Sequence, residues 1–255
     1  MMRYLSPAEM IAHRGLRLVL VQGVPSPWGQ AVKTIFEIKK LDFVVAPLLM
    51  TATNDEIVAW SGQNSAPIVA WQDEPPINRW IDILHLAERL APEPALIPRD
   101  AWDRTLMFGL CNELFGELGI GWCRRIQMAE AAADLPALSD FAAVVGAKYP
   151  YSRKDAEAAS TRIADSLQVF ATQLRDQQER GMSFLVGNAL SAVDIYFAAT
   201  MNMLAPLPGG QCAMPEQFRA GFTATDPVIV DALSPILLAH RQRIFDDYFK
   251  SPMEF

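Results

Sequence analysis

This chain of 255 residues is poor in the side chains that bind metals or staple small folds, with three cysteines and three histidines. Cys111, Cys123 and Cys212 form no CxxC pair, and an odd number of scattered thiols argues against a disulfide framework. Cys111 and Cys123 read as buried apolar fillers. His13, His85 and His240 stand far apart, so no metal site is expected. No apolar run reaches the roughly 18 residues that span a bilayer. The opening MMRYLSPAEMIAHRG lacks the apolar core of a secretory leader. The expectation is a cytoplasmic protein with no membrane partner. Basic charge is not in excess either: a net charge of −7 gives no field to gather nucleic acid.

What is present is ordinary globular material, 51% hydrophobic and 20% charged. The length suits one large domain or two small ones. Residues 16–21 are a short apolar run bounded by Gly23 and Pro25, which predicts a buried strand. Val32, Ile35 and Phe36 then fall at helical spacing over 27–40, with Ser26 at the N-cap and Pro27 at the first helical position. Residues 43–48 predict a second strand, 54–60 a short helix ending near Gly62, and 67–71 a third strand. Pro75-Pro76-Ile77 allows only a short edge strand. From Asn78 the period returns to helical, with Ile77, Trp80, Ile81 and Leu84 on one face. This order predicts a small mixed sheet with helices packed on it.

Residues 91–99, APEPALIPR, read as a linker, and everything beyond is helical in character. A long segment over 100–130 carries Trp102, Leu106, Leu110 and Leu114, weakened by four glycines. Residues 152–180 open on a cap and stop at Gly181, Ser191 to Asp194 forms a capping box before an apolar helix, and 227–250 make a last helix. Arg124-Arg125 reads as a charged helix end. The expected division is an extension over 1–15, an α/β domain over 16–90, a linker over 91–99 and an all-helical domain over 100–255.

Three patterns in this order carry a family resemblance: the Ser26-Pro27 turn after the first strand, Ala66-Pro67-Ile68-Val69, and Phe184 to Ile195 with its capping box. Over about 17–250 the chain resembles the cytosolic glutathione transferases of the serine or cysteine type. The resemblance implies a thioredoxin-like domain followed by an all-α domain, in a homodimer. It implies glutathione as co-substrate, a cis peptide before Pro67, and Ser26 donating a hydrogen bond to the thiolate beside a helix N-terminus. Strand one has no tyrosine, and Tyr4 lies ahead of it, so a tyrosine-type assignment fails. Ala66 would offer its backbone to the cysteinyl part as an added strand does. The polar turn Gln63-Asn64-Ser65 would reach the glycine carboxylate, and Trp28 would wall the site. Trp102, Met107, Phe108, Cys111 and Phe115 would line a pocket for a small hydrophobic acceptor; a core stripe explains them equally well.

One pair departs from the family. Its usual Glu-Ser or Asp-Ser aligns with Asn78-Arg79. Asn78 can cap the helix and hydrogen-bond a carboxylate but cannot form an ion pair with an ammonium. Arg79 can grip a carboxylate or block the pocket. The readings are therefore a glutathione-dependent transferase or lyase, a non-catalytic binding or scaffold protein, or an enzyme taking a different carboxylate-bearing ligand.

Overall fold

A computed structural model describes residues 2–133 and 139–255. It divides into two compact units. The first comprises Met1–Pro94 together with Pro208–Met214 and Lys250–Phe255; the second comprises Ala95–Leu207 and Pro215–Phe249. The chain thus leaves the first unit at Pro94 and supplies two further short pieces to it.

The first unit is built on a three-stranded sheet. Strand β1 (Leu16–Val21) lies between β2 (Phe43–Leu48), parallel to it, and β3 (Ile68–Trp71), antiparallel to it. The register sets Leu18 opposite Val45 on one side and Val69 on the other. Alternation sends Leu16, Leu18 and Leu20 to one face and Arg17, Val19 and Val21 to the other. Helices α1 (Pro7–Ala12) and α3 (Asp55–Ser61) cover the Val19 face, where Met10, Val19, Ala46, Leu48, Ile57 and Ile68 form a core. Arg17 is buried on that face, its guanidinium 5.3 Å from the Trp60 ring and donating to the Ile11 carbonyl at 3.1 Å.

Helix α2 (Pro27–Ile38) packs on the Leu20 face, and α4 (Trp80–Leu90) packs on α2. A Cβ at Gly29 would lie 2.9 Å from Leu20 Cδ2, so a larger residue there would have to push the Leu20 side chain aside. The edge strand expected at 75–77 reduces to one bridge, Ile77 with Val69, closed by two 2.8 Å hydrogen bonds. Residues 4–12 are woven in: Tyr4 bridges to Val45, the Leu5 N–H donates to the Val45 carbonyl at 2.8 Å, and Met10 is fully buried. Burial pushes the Tyr4 phenol up to about 12.

The second unit is helical. The segment expected as one bent helix over 100–130 is two helices, α5 (Ala101–Phe115) and α6 (Ile120–Ala133). Leu118 between them takes φ +57°, and a Cβ at Gly119 would meet the Asn112 carbonyl oxygen at 2.8 Å. Then follow α7 (Ser139–Lys148), α8 (Arg153–Glu179), α9 (Ala192–Met201), α10 (Glu216–Phe222), α11 (Pro227–Ala232) and α12 (Pro235–Tyr248). The last helix expected over 227–250 is broken at Leu233-Ser234, because Pro235 cannot continue a hydrogen-bonded turn.

Helix α9 is buried along its whole length, packed by α5 and α12. Its capping box is fully buried: Asp194 accepts from the Ser191 N–H (3.0 Å), the Ser191 hydroxyl (3.1 Å) and the Leu185 N–H (2.9 Å), and faces His240 Nε2 at 3.0 Å.

Candidate functional site

Ser26 sits where β1 hands over to α2. The turn between them is closed by the Gln22 N–H donating to the Leu48 carbonyl (3.1 Å) and the Ser26 N–H donating to the Val24 carbonyl (2.8 Å). Ser26 is the N-cap residue of α2, and its carbonyl accepts from the Gln30 N–H at 2.8 Å. Its hydroxyl makes no capping bond. A serine kept only to cap the helix would place Oγ on a first-turn N–H. Here the hydroxyl oxygen makes no such bond, and it stands beside a helix end that favours negative charge. Trp28, in the first turn of α2, is half-buried.

Ala66 and Pro67 stand just ahead of β3, and their peptide bond is cis. Ala66 packs on the sheet core, yet its N–H and C=O take no backbone partner among the described residues. Such an open donor and acceptor at a strand end can pair with an extended peptide. Asn78 lies close by: its amide Nδ2 donates to Gln63 Oε1 at 2.9 Å. The structure therefore brings Gln63 and Asn78 together. Asn78 does not cap α4; the N-cap residue is Arg79, whose side chain makes no cap bond. Arg79 is 74% exposed, with Asp82 at 3.7 Å as its ion-pair partner. Asn64 is held from the other side, accepting from Asn54 Nδ2 at 2.8 Å and donating to the Ala52 carbonyl at 3.3 Å.

The five residues offered as an acceptor pocket separate. Met107 and Cys111 are fully buried in the helical unit with their sulfurs 3.4 Å apart, and Phe115 stacks 4.9 Å from Tyr196. Burial pushes the Cys111 thiol well above its ordinary range. These three are core against α9, the core-stripe alternative the sequence left open. Trp102 is 78% exposed and Phe108 half-buried.

Arg124 and Arg125 are a correction: they are buried inside α6, not a solvated helix end. Arg124 donates to the carbonyls of Met203 (3.0 Å), Gly221 (2.8 Å) and Thr223 (2.9 Å), and burial pulls its guanidinium down to about 10. Arg125 lies 5.6 Å from the Phe222 ring.

Sequence reasoning passed over Gln30 and Lys33, one and two turns beyond Ser26. Both are buried, and both donate to the Glu254 carbonyl, at 3.1 and 2.6 Å. Their signal was a row of polar side chains, Gln30, Lys33 and Glu37, at helical spacing on one face of α2. Among the described residues, no group of three or more His, Cys, Asp or Glu side chains could hold a metal ion. No helix among them is long and apolar enough to cross a membrane. Two cavities, of about 860 and about 220 Å³, lie in the helical unit and touch none of the sequence-predicted site residues.

Comparison with known proteins bears on the fold. Residues 128–220 match the family described as glutathione S-transferase, C-terminal domain. Among solved structures, a rice glutathione transferase in complex with glutathione superposes with a TM-score of 0.60 at 16% identity, over 94% of each chain. A glutathione transferase family member from Pseudomonas fluorescens, with two glutathione bound, gives 0.61 at 14%, over 91% of this chain and 89% of that one. A glutathione S-transferase from Methylobacterium radiotolerans, complexed with glutathione sulfonate, gives 0.59 at 15%, over 94% and 97%. No curated protein matches the chain. The fold is that of the glutathione transferases: a small mixed α/β domain with a three-stranded sheet, followed by a helical domain.

Proposed function

We propose that the protein is a glutathione-dependent transferase or lyase acting on a small hydrophobic electrophile, with glutathione as co-substrate. The observation that carries this reading is the Ser26 hydroxyl, uncommitted at the N-terminus of α2. It shares its domain with the open backbone of Ala66 before cis-Pro67. The cysteinyl part of glutathione pairs with Ala66 as a short added strand. The thiol gives its proton to solvent, Ser26 donates a hydrogen bond to the sulfur, and the helix N-terminus adds a favourable field, so the thiolate is the stable form at neutral pH. The sulfur lone pair then bonds to the electrophilic carbon, and the leaving group departs with the electrons of the broken bond. Gln63 and Asn78, hydrogen-bonded to each other, meet the γ-glutamyl end through neutral amides. The same reading carries a cytoplasmic homodimer, which sedimentation and cell fractionation check. Calorimetric titration with reduced glutathione tests the binding step. The Ser26→Ala variant tests the chemistry: unchanged turnover and an unchanged thiol pKa would remove Ser26 from the mechanism.

A second reading is favoured by Asn78. Its hydrogen bond to Gln63 joins two amides where the resembled family uses an acid. A scaffold that has lost the chemistry, or an enzyme whose ligand bears a carboxylate and no ammonium, also fits that pair. Lack of any thermal stabilisation at several millimolar glutathione, with stabilisation by a carboxylate ligand, would select the latter.

A further inference from the structure

Residues 250–255 lie along the polar face of α2. Gln30, Lys33 and Glu37 follow Ser26 at helical spacing, and two of them grip one atom, the Glu254 carbonyl oxygen. The rest of the segment makes its own contacts. The Met253 N–H donates to the Gln211 carbonyl at 2.7 Å, the Met253 sulfur lies 3.8 Å from the Cys212 sulfur, and Lys250 pairs with Glu254 at 3.1 Å. Beneath the segment Lys33 is 1% exposed and Cys212 is fully buried, while Gln30 Oε1 has no hydrogen-bond partner.

An ammonium buried against a carbonyl has lost most of its hydration and gained little in return. We propose that residues 250–255 are a releasable strap over α2, kept releasable by the burial of the Lys33 ammonium, and that release loosens the helix that carries Ser26 and uncovers Cys212. The charged and titratable groups around Lys33 are Glu37 on its own helix, Glu254 and Lys250 on the strap, and Cys212 on the neighbouring segment. The two carboxylates favour the charged amine, but desolvation outweighs them and pulls Lys33 down to about 8 from its ordinary 10.5. The sign follows from linkage. Between about pH 8 and 10.5 the released strap binds more protons than the seated one, so seating tightens as pH rises through that window. At and below about pH 8 the full penalty applies and release is easiest.

Alkylation of Cys212 by iodoacetamide in the full chain, followed by peptide mass spectrometry, reads strap release. Each rate is divided by that of the unfolded chain at the same pH, which removes the thiol's own titration. Wild type is expected to label at least about tenfold more slowly at about pH 10 than at about pH 7.5, because a seated amine that holds its proton tenfold more weakly biases the strap tenfold toward release while it stays charged. Lys33→Met, similar in shape and uncharged, is expected to label at least about tenfold more slowly than wild type at about pH 7.5, with a flat profile. Equal rates in the two proteins, faster labelling of Lys33→Met, or a flat wild-type profile overturns the proposal. Amide exchange over residues 250–255 of the unaltered chain, corrected for intrinsic rates, is independent of the variant's folding. Protection that rises with pH supports the strap, and protection that stays level or falls overturns it.

Discussion

Replacing Asn78 with aspartate is the sharpest test of what the first unit holds. Asn78 donates to Gln63 Oε1 at 2.9 Å. Aspartate has the same shape, and Gln63 can turn its amide to donate in place of accepting, so the local hydrogen bond survives in the opposite sense. A carboxylate two residues ahead of α4 also sits well with the positive end of that helix, a favourable effect of about 0.3–1 kcal/mol. The fold is therefore expected to tolerate the change. For the ligand, the change turns a neutral amide into a partner for the α-ammonium of the γ-glutamyl group. A hydrogen bond to a charged group is worth about 1.5–3 kcal/mol, which is roughly ten- to a hundred-fold in affinity. Calorimetry should show Asn78→Asp binding glutathione that much more tightly than wild type, and the gain should shrink at high salt. A glutathione analogue lacking the α-amino group should gain nothing. Unchanged or weaker glutathione binding by a variant that melts like wild type would refute the placement of the γ-glutamyl end at Asn78.

Three further outcomes are expected. Ser26→Ala should leave stability within a few tenths of a kcal/mol, because the hydroxyl makes no cap bond, while turnover with an aryl halide acceptor falls about ten- to a hundred-fold; loss of stability with unchanged turnover would make Ser26 structural. Arg124→Met should orphan the buried Met203 carbonyl and two part-buried ones and destabilise the helical unit by about 1–3 kcal/mol in urea unfolding, with Arg124→Lys in between; a loss under about 0.5 kcal/mol would show that water replaces the guanidinium. Asp194→Ala should leave the Ser191 and Leu185 N–H groups without their acceptor and lower the melting temperature by about 6 °C or more; a melting point within about 2 °C of wild type would show the capping box to be dispensable.

The parts of the fold that are legible in the sequence are those whose causes are local. The β1–Ser26–Pro27–α2 handover, the strand at 68–71 and the Ser191–Asp194 box each rest on residues within a few positions of one another. The N-terminal helix α1 escapes a sequence reading although Ser6 and Glu9 form a reciprocal capping box, because six residues carry too little periodicity. The break between α5 and α6 is only half legible. Four glycines signal weakness, but the residue that takes the left-handed turn is Leu118, for which no composition rule prepares.

Side-chain roles are legible only where the partner is local too. Lys33 and its acceptor are 221 residues apart, and Arg124 finds its carbonyls 79, 97 and 99 residues away. A charged residue on a helix reads as solvated until tertiary structure supplies the acceptors, and both exceptions here are cations satisfied by backbone oxygen. The same logic bears on Asn78. Its alignment position is readable, yet its partner Gln63 lies 15 residues back on the far side of β3, and that contact decides which atoms remain for a ligand. With Nδ2 committed to Gln63, Asn78 offers chiefly its Oδ1, an acceptor, while Gln63 offers its Nε2 donors. The pair can therefore meet an ammonium and a carboxylate together, through neutral groups. On the proposed function, the expected outcome is a zwitterionic γ-glutamyl end received by neutral groups with affinity lowered by the missing charge, so that calorimetry finds wild-type glutathione binding weak but present.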